Sequence, residues 1–195
     1  MNILLDYLPT SFVIDNRKYE FNSDFRTSIL FCLLMQDEEL TEEEKILQGL
    51  QLYYPEIPNN KEEAYKKILF FYSRGKEDNA ETKVKQGKRI FKRNSNRAFD
   101  FEEDADLIFS AFMTQYSINL NRDNLHWWEF MSLFNSLKDD NEIVKIMNYR
   151  TIDINTIEDK KERKTYKQLQ DYYSLENIIS KEEREHLEEK MKEWG

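Results

Sequence analysis

Apolar positions recur at helical spacing through most of the chain, and the exception comes first. "SFVIDNRKYEF" is β-rich on both sides of "DNR" and predicts a hairpin, because Asp15 and Asn16 tolerate the backbone conformations of a tight turn. A helix follows, with Ser23 as its cap, and runs to about Met35. Its apolar residues, Phe25, Ile29, Leu30, Phe31, Cys32, Leu33, Leu34 and Met35, point in all directions, so it must be central or covered by another subunit. Thr41 and Glu44 form a capping box ahead of the stripe Ile46, Leu47, Leu50 and Tyr53, and "PEIPNN" stops that helix. Asn60 with Glu63 opens a third, with Ala64, Ile68, Phe71 and Tyr72 at helical spacing.

Between 73 and 98 the pattern almost disappears, leaving Val84, Ile90 and Phe91 among polar residues. That is too long for an ordinary connection and predicts a linker or a functional loop. Helical spacing then returns. "FDFEEDADLIFSAFMTQY" places Phe101, Ala105, Ile108, Phe109, Phe112, Met113 and Tyr116 on one face, with Glu102, Glu103 and Asp104 in the first turn, where the helix dipole favours anions. "LHWWEFMSLFNSL", 125 to 137, projects Trp127, Phe130, Met131, Leu133, Phe134 and Leu137 onto one arc. "NEIVKIM" predicts a short helix, "YRTIDINTI" an extended connection, and Asp159 with Glu162 the cap of a helix bearing Tyr166, Leu169 and Tyr173. Ser180 with Glu183 caps the last, whose narrow stripe Leu187, Met191 and Trp194 suits docking rather than core formation.

The fold class that follows is mainly α: a small N-terminal β-hairpin followed by a helical bundle, in two helical lobes joined by a basic linker. Residues 1–72 form the hairpin and three-helix lobe, 73–98 the linker or loop, and 99–195 an aromatic-rich helical lobe with a terminal docking helix. Four glycines and three prolines in 195 residues disfavour an all-β protein with many tight turns.

Charge alters the list of partners. A formal net charge of −9 opposes bare nucleic acid and any default role on it. Residues 83 to 97 run the other way, with Lys83, Lys85, Lys88, Arg89, Lys92, Arg93 and Arg97 and no acid. Three readings fit: the run lies on the chain's own acidic surface, is a solvated linker, or is a nucleic-acid arm using Lys88, Arg89, Lys92 and Arg93. No apolar run is long enough to span a bilayer, and the single Cys32 fits a reducing, cytosolic setting.

Candidate chemistry is sparse, and neither a cofactor nor a metal is expected. Cys32 sits in an apolar helix where a thiolate is disfavoured, His186 in a highly charged one, and the glycines form no phosphate-binding loop. Glu103 and Asp106 are close on the polar arc, but Glu102 and Asp104 diverge from them, which predicts a solvated acidic start rather than a Mg²⁺ cage. His126 lies on the apolar arc, either as a core residue bonded to backbone or as a group stacking on a ligand. Trp128 falls on the polar side, either covered by a neighbouring helix or exposed as an anchor for a partner.

The stretches "DFEEDADLIFSAFMTQYSINL", "LHWWEFMSLFNSL" and "IMNYRTIDINTIEDKKERKTYKQLQ" resemble the bacteriophage gene product 15 family, as does "LLDYLPTSFVIDNRKYEFNSDFR" at the start. His126, Trp127, Trp128, Tyr149 and Arg150 stand where that family's pattern places them. The resemblance implies a protein from the tail gene cluster of a long-tailed phage, close to the tape measure gene. The expected role is a non-enzymatic tail-assembly chaperone that keeps the tape measure protein soluble, with the tail tube protein and further copies of itself as other partners. Trp128, Leu187, Met191 and Trp194 are its expected contacts. A nucleic-acid-binding or regulatory protein, and a structural component of the tail, are the other readings.

Overall fold

The structure, a computed structural model, describes residues 2–75 and 97–175. Lys88, Arg89, Lys92 and Arg93 lie outside the described residues, as do Ser180, Glu183, Leu187, Met191 and Trp194. The chain divides into two units. Among the described residues the first comprises 2–75 with 120–136, and the second 97–119 with 137–175.

In the first unit, β1 (Ser11–Ile14) pairs antiparallel with β2 (Arg17–Glu20), Phe12 opposite Tyr19. Asp15 and Asn16 both take left-handed backbone, at φ 48° and 61°, a turn whose twist matches that of the two strands. Helices α1 (Phe25–Gln36), α2 (Glu42–Tyr53) and α3 (Lys61–Tyr72) follow. The capping box at Thr41 and Glu44 forms as expected, and Asn60 accepts from the Glu63 N–H. At α1 the cap is Asp24, one residue beyond Ser23. Ser23 is engaged elsewhere: its carbonyl accepts from Trp127 N–H, and Phe25 N–H donates to Leu125. Two short backbone stretches a hundred residues apart in sequence therefore pair, around a bridge between Asp24 and His126.

This pairing brings α5 (Trp127–Phe134) into the first unit, whereas the sequence places it in the 99–195 lobe. Phe25 stacks on Phe130 at 4.7 Å, and Tyr72 on Trp127 at 5.3 Å. Arg26 secures the approach, its guanidinium donating to the carbonyls of Leu120 and Asp123. The centre of the unit is a dense aromatic group in which Phe21 lies within 5.2 Å of Tyr53, Tyr54 and Phe71. Each such ring, fully buried, favours folding by roughly 1.5–3 kcal/mol.

The second unit contains α4 (Ala105–Tyr116), α6 (Glu142–Thr151) and α7 (Lys160–Tyr172). Asp159 caps α7 as expected, accepting from Lys161 and Glu162 N–H. Helix α6 runs on through Tyr149 and Arg150, where an extended connection is expected, and a 3-10 turn at Ile154–Thr156 follows. The extension has a tertiary cause. Arg150, on the last turn, is drawn into the core by partners the local sequence does not contain.

Candidate partner-binding surface

The helix that is apolar all round is covered on one side only. Phe25, Ser28, Phe31 and Cys32 of α1 are buried, while Leu30 is 52% exposed. On α2 the buried positions are Lys45, Gly49, Leu50 and Tyr53, so the stripe is rotated from the expected one and Leu47 is 43% exposed. Two features cause the rotation. The Lys45 ammonium reaches back to the Met35 carbonyl at 3.3 Å, and Gly49 admits the Phe31 ring, where an added Cβ would sit 2.9 Å from it. The outer sides of α1 and α2 then leave a groove of about 540 Å³ lined by Leu30, Leu34, Gln48, Gln51 and Leu52. Leu47 shares the α2 face of Gln48 and Gln51 by helical spacing.

A second apolar surface lies at the chain start. Asn2 and Asp6 close a small turn, Asn2 N–H to the Asp6 carboxylate at 2.7 Å and Leu4 N–H to the Asn2 side chain at 2.9 Å. The turn presents Leu4, Leu5 and Tyr7 at 88, 81 and 100% exposure.

Trp128 is not such a surface. It is 4% exposed, which corrects its assignment as a partner contact. Its indole N–H donates to the Phe71 carbonyl at 2.8 Å, and that of Trp127 to the Tyr72 carbonyl at 3.0 Å. The last carbonyls of a helix have no partner within the helix, so these two indoles complete the end of α3. Trp128 faces away from the apolar arc of its own helix because it is buried by another, an arrangement that helical projection cannot reveal.

His126 is half-buried and bonded to backbone, and it also caps α5. Its Nδ1 accepts from Trp128 N–H at 3.1 Å, which leaves the proton on Nε2 to donate to the Pro9 carbonyl at 3.1 Å. Glu129 returns a carboxylate to the His126 N–H, completing a capping box in which the histidine takes the place of Ser or Thr. Burial lowers the imidazole pKa below its ordinary value, more than the Pro9 carbonyl and Glu129 raise it, so the neutral ring the cap requires is the favoured form.

In the second unit Asp104 is buried, which corrects the expectation of a solvated acidic start, although Glu102 and Glu103 are exposed as expected. The Asp104 carboxylate receives both ends of the Arg150 guanidinium, at 2.6 and 3.0 Å, and the Asp100 N–H at 2.8 Å. Arg150 also donates to the carbonyls of Ala98 and Tyr173. Beside it, Arg97 meets Asp100 at 2.7 Å, so the one described residue of the basic run does pair with an acid of its own chain. Burial acts to raise the Asp100 carboxyl, but the N–H groups of Glu102 and Glu103 and the Arg97 charge outweigh it and hold the pKa below its ordinary value.

The histidine, both tryptophans and the arginine singled out in the sequence are thus used to hold the two units, each within its own. The exposed apolar groups of the groove and the chain start, Leu4, Leu5, Tyr7, Leu30 and Leu47 among them, come from segments where periodicity gives no warning, because position in the fold decides which side of an apolar helix is left open. Among the described residues no cluster of His, Cys, Asp and Glu converges as a metal site, and no helix is long and apolar enough to cross a membrane. A family model described as Bacteriophage Gp15 protein matches residues 4–175. No curated protein and no solved structure matches.

Proposed function

Because the chain belongs to the bacteriophage Gp15 protein family, we propose that it is a phage tail-assembly chaperone that binds the tape measure protein and keeps it soluble, without enzymatic activity. The observation that carries this reading is the open groove on α1 and α2, an apolar floor of Leu30, Leu34 and Leu52 with glutamines at its side. A tape measure is a long helical protein whose apolar stripe must be shielded until tube subunits enclose it. An amphipathic helix laid into such a groove is shielded in that way. The net charge of −9 keeps the complex dispersed while assembly proceeds.

Coexpression with the tape measure protein of the same phage tests the reading. The tape measure should stay soluble and copurify with the wild-type chain, and lose both with Leu30→Gln/Leu47→Gln. Equal solubility with and without the chain would remove the proposal. Mass spectrometry of purified virions should find the chain absent, where a structural component of the tail would be present.

A further inference from the structure

Helices α2, α3, α5 and α6 each begin with acidic residues, the sign that the helix dipole favours. Helix α7 also carries an acid, Glu162, in its first turn, but its solvent side is crowded with lysines. Lys160, Lys161, Lys164 and Lys167 are all exposed, and at 100° per residue they fall within one arc opposite Tyr166, Leu169, Gln170 and Tyr173. The inner face is occupied: Gln170 donates to the Arg150 and Ile152 carbonyls, and Tyr166 lies 6.2 Å from Tyr149. Arg163 is turned back onto the Ile157 carbonyl, 2.8 Å from its Nε.

Acids stand near the lysines, Asp171 four residues after Lys167 on the same arc and Asp159 and Glu162 at the helix start, but none pairs with them. Lys160 and Lys164 are four residues apart, and Lys164 is three from both Lys161 and Lys167, spacings at which like charges oppose helix formation. None of the four makes an ion pair among the described residues, and three of them lie in the first two turns, at the positive end of the dipole. A local arrangement of like charges whose neighbouring acids do not pair with it marks a face on which something outside the helix is met.

We propose that this lysine face is a contact surface for a second copy of the chain, and that it receives the acidic stretch 37–44. The stretch holds Asp37, Glu38, Glu39, Glu42, Glu43 and Glu44 in eight residues, all exposed and none ion-paired among the described residues. The lysines extend about 10 Å along the helix, at 1.5 Å per residue, and the acidic stretch is a charge complement carried by every copy. The surfaces differ, and both a two-fold pair, in which each copy's α7 meets the other's 37–44, and a head-to-tail chain satisfy them. A nucleic acid is the weaker candidate: it would find four lysines on a chain of net charge −9. The inference does not rest on the chaperone reading, since it concerns the chain alone.

Sedimentation velocity of the full chain is the test. Wild type should associate at low ionic strength and dissociate in about 1 M salt, where the screening length falls to roughly 3 Å. Lys160→Glu/Lys161→Glu/Lys164→Glu/Lys167→Glu should weaken association by about a hundredfold or more, because like charges then face each other. Glu38→Lys/Glu39→Lys/Glu42→Lys/Glu43→Lys, which leaves four lysines against Asp37 and Glu44, should do the same, with Glu44 left to its cap. An equimolar mixture of the two variants should associate again, since every junction between unlike variants regains opposite charges. Circular dichroism confirms helix content, and if a reversal variant fails to fold, the corresponding Gln substitutions report the same loss. Monomeric wild type at low salt, association unchanged in either variant, or a mixture that stays monomeric overturns the inference. So does lysine-dependent retardation of duplex DNA in the absence of self-association.

Discussion

The two units solve the same problem with opposite materials. The first is closed by rings: Phe21, Tyr53, Phe71, Trp127 and Phe130 pack against one another, and the polar groups left at the end of α3 are met by two indole N–H donors. The second, over a core of Ile108, Phe112, Ile143 and Ile146, is closed by charge: Arg150 lies between Asp104 and two carbonyls, with Arg97 and Asp100 beside it. Rings favour burial by themselves, whereas ions enter only when geometry recovers the hydration they lose. The first unit should therefore be sensitive to shape and to its hydrogen-bonding indoles, and the second to any loss of a charge partner.

The strongest challenge to this contrast is Asp104→Ala, which strands Arg150 in the second unit. It should cost about 3–5 kcal/mol in chemical denaturation followed by circular dichroism. Asp104→Leu/Arg150→Met should recover most of that, because an apolar pair of similar volume avoids the ionic penalty. A single-variant cost below about 1 kcal/mol would mean that charge does not close the unit.

In the first unit, Trp128→Phe keeps an aromatic ring but removes the donor to the Phe71 carbonyl. The expected loss is about 0.5–1.5 kcal/mol, that of one hydrogen bond, since the Phe71 carbonyl keeps the Arg74 N–H. A neutral result would show that area alone matters there.

Acid separates the units more gently. The pKa of His126 is lowered in the folded state, so the unfolded chain binds more protons just below the ordinary value of 6.5. Its stabilisation is complete above that pH and is lost as pH falls through the lower folded value. Asp100 is lowered from 3.8, so its contribution is complete above that pH and is lost only as pH falls further. In a pH titration, tryptophan fluorescence, whose described sources Trp127 and Trp128 belong to the first unit, should begin to change before the Asp100 pair of the second unit fails. His126→Asn, which supplies a cap oxygen that does not titrate in this range, should flatten that early phase. The smallest effect belongs to Leu30→Gln/Leu47→Gln. At exposed positions it should change stability by no more than about 0.5 kcal/mol per site while the tape measure is lost in copurification.

Much of the fold is legible in the sequence where the cause is local. The hairpin follows from Asp15 and Asn16, and the starts of α2, α3 and α7 follow from Thr41, Asn60 and Asp159, because a cap acts within three residues of itself. The residues that escape such reading are those whose partners are remote. Asp104 has the look of a solvated helix start until Arg150, 46 residues on, arrives, and Trp128 can be read as either covered or exposed until the end of α3 is placed above it. His126 is legible as a residue bonded to backbone, but not as a cap, since histidine is not among the usual capping residues.

By itself, then, the sequence determined the element types, most of their ends, the strongly acidic balance and the membership in a phage family, because propensity, capping and composition depend on neighbours along the chain. Only tertiary structure decided that 125–127 pairs with 23–25, that the aromatic helix belongs to the first unit, and that Leu30 and Leu47 face outward. Those outcomes depend on which surfaces meet. An apolar helix presents many faces of similar value, and its neighbours settle which one remains open.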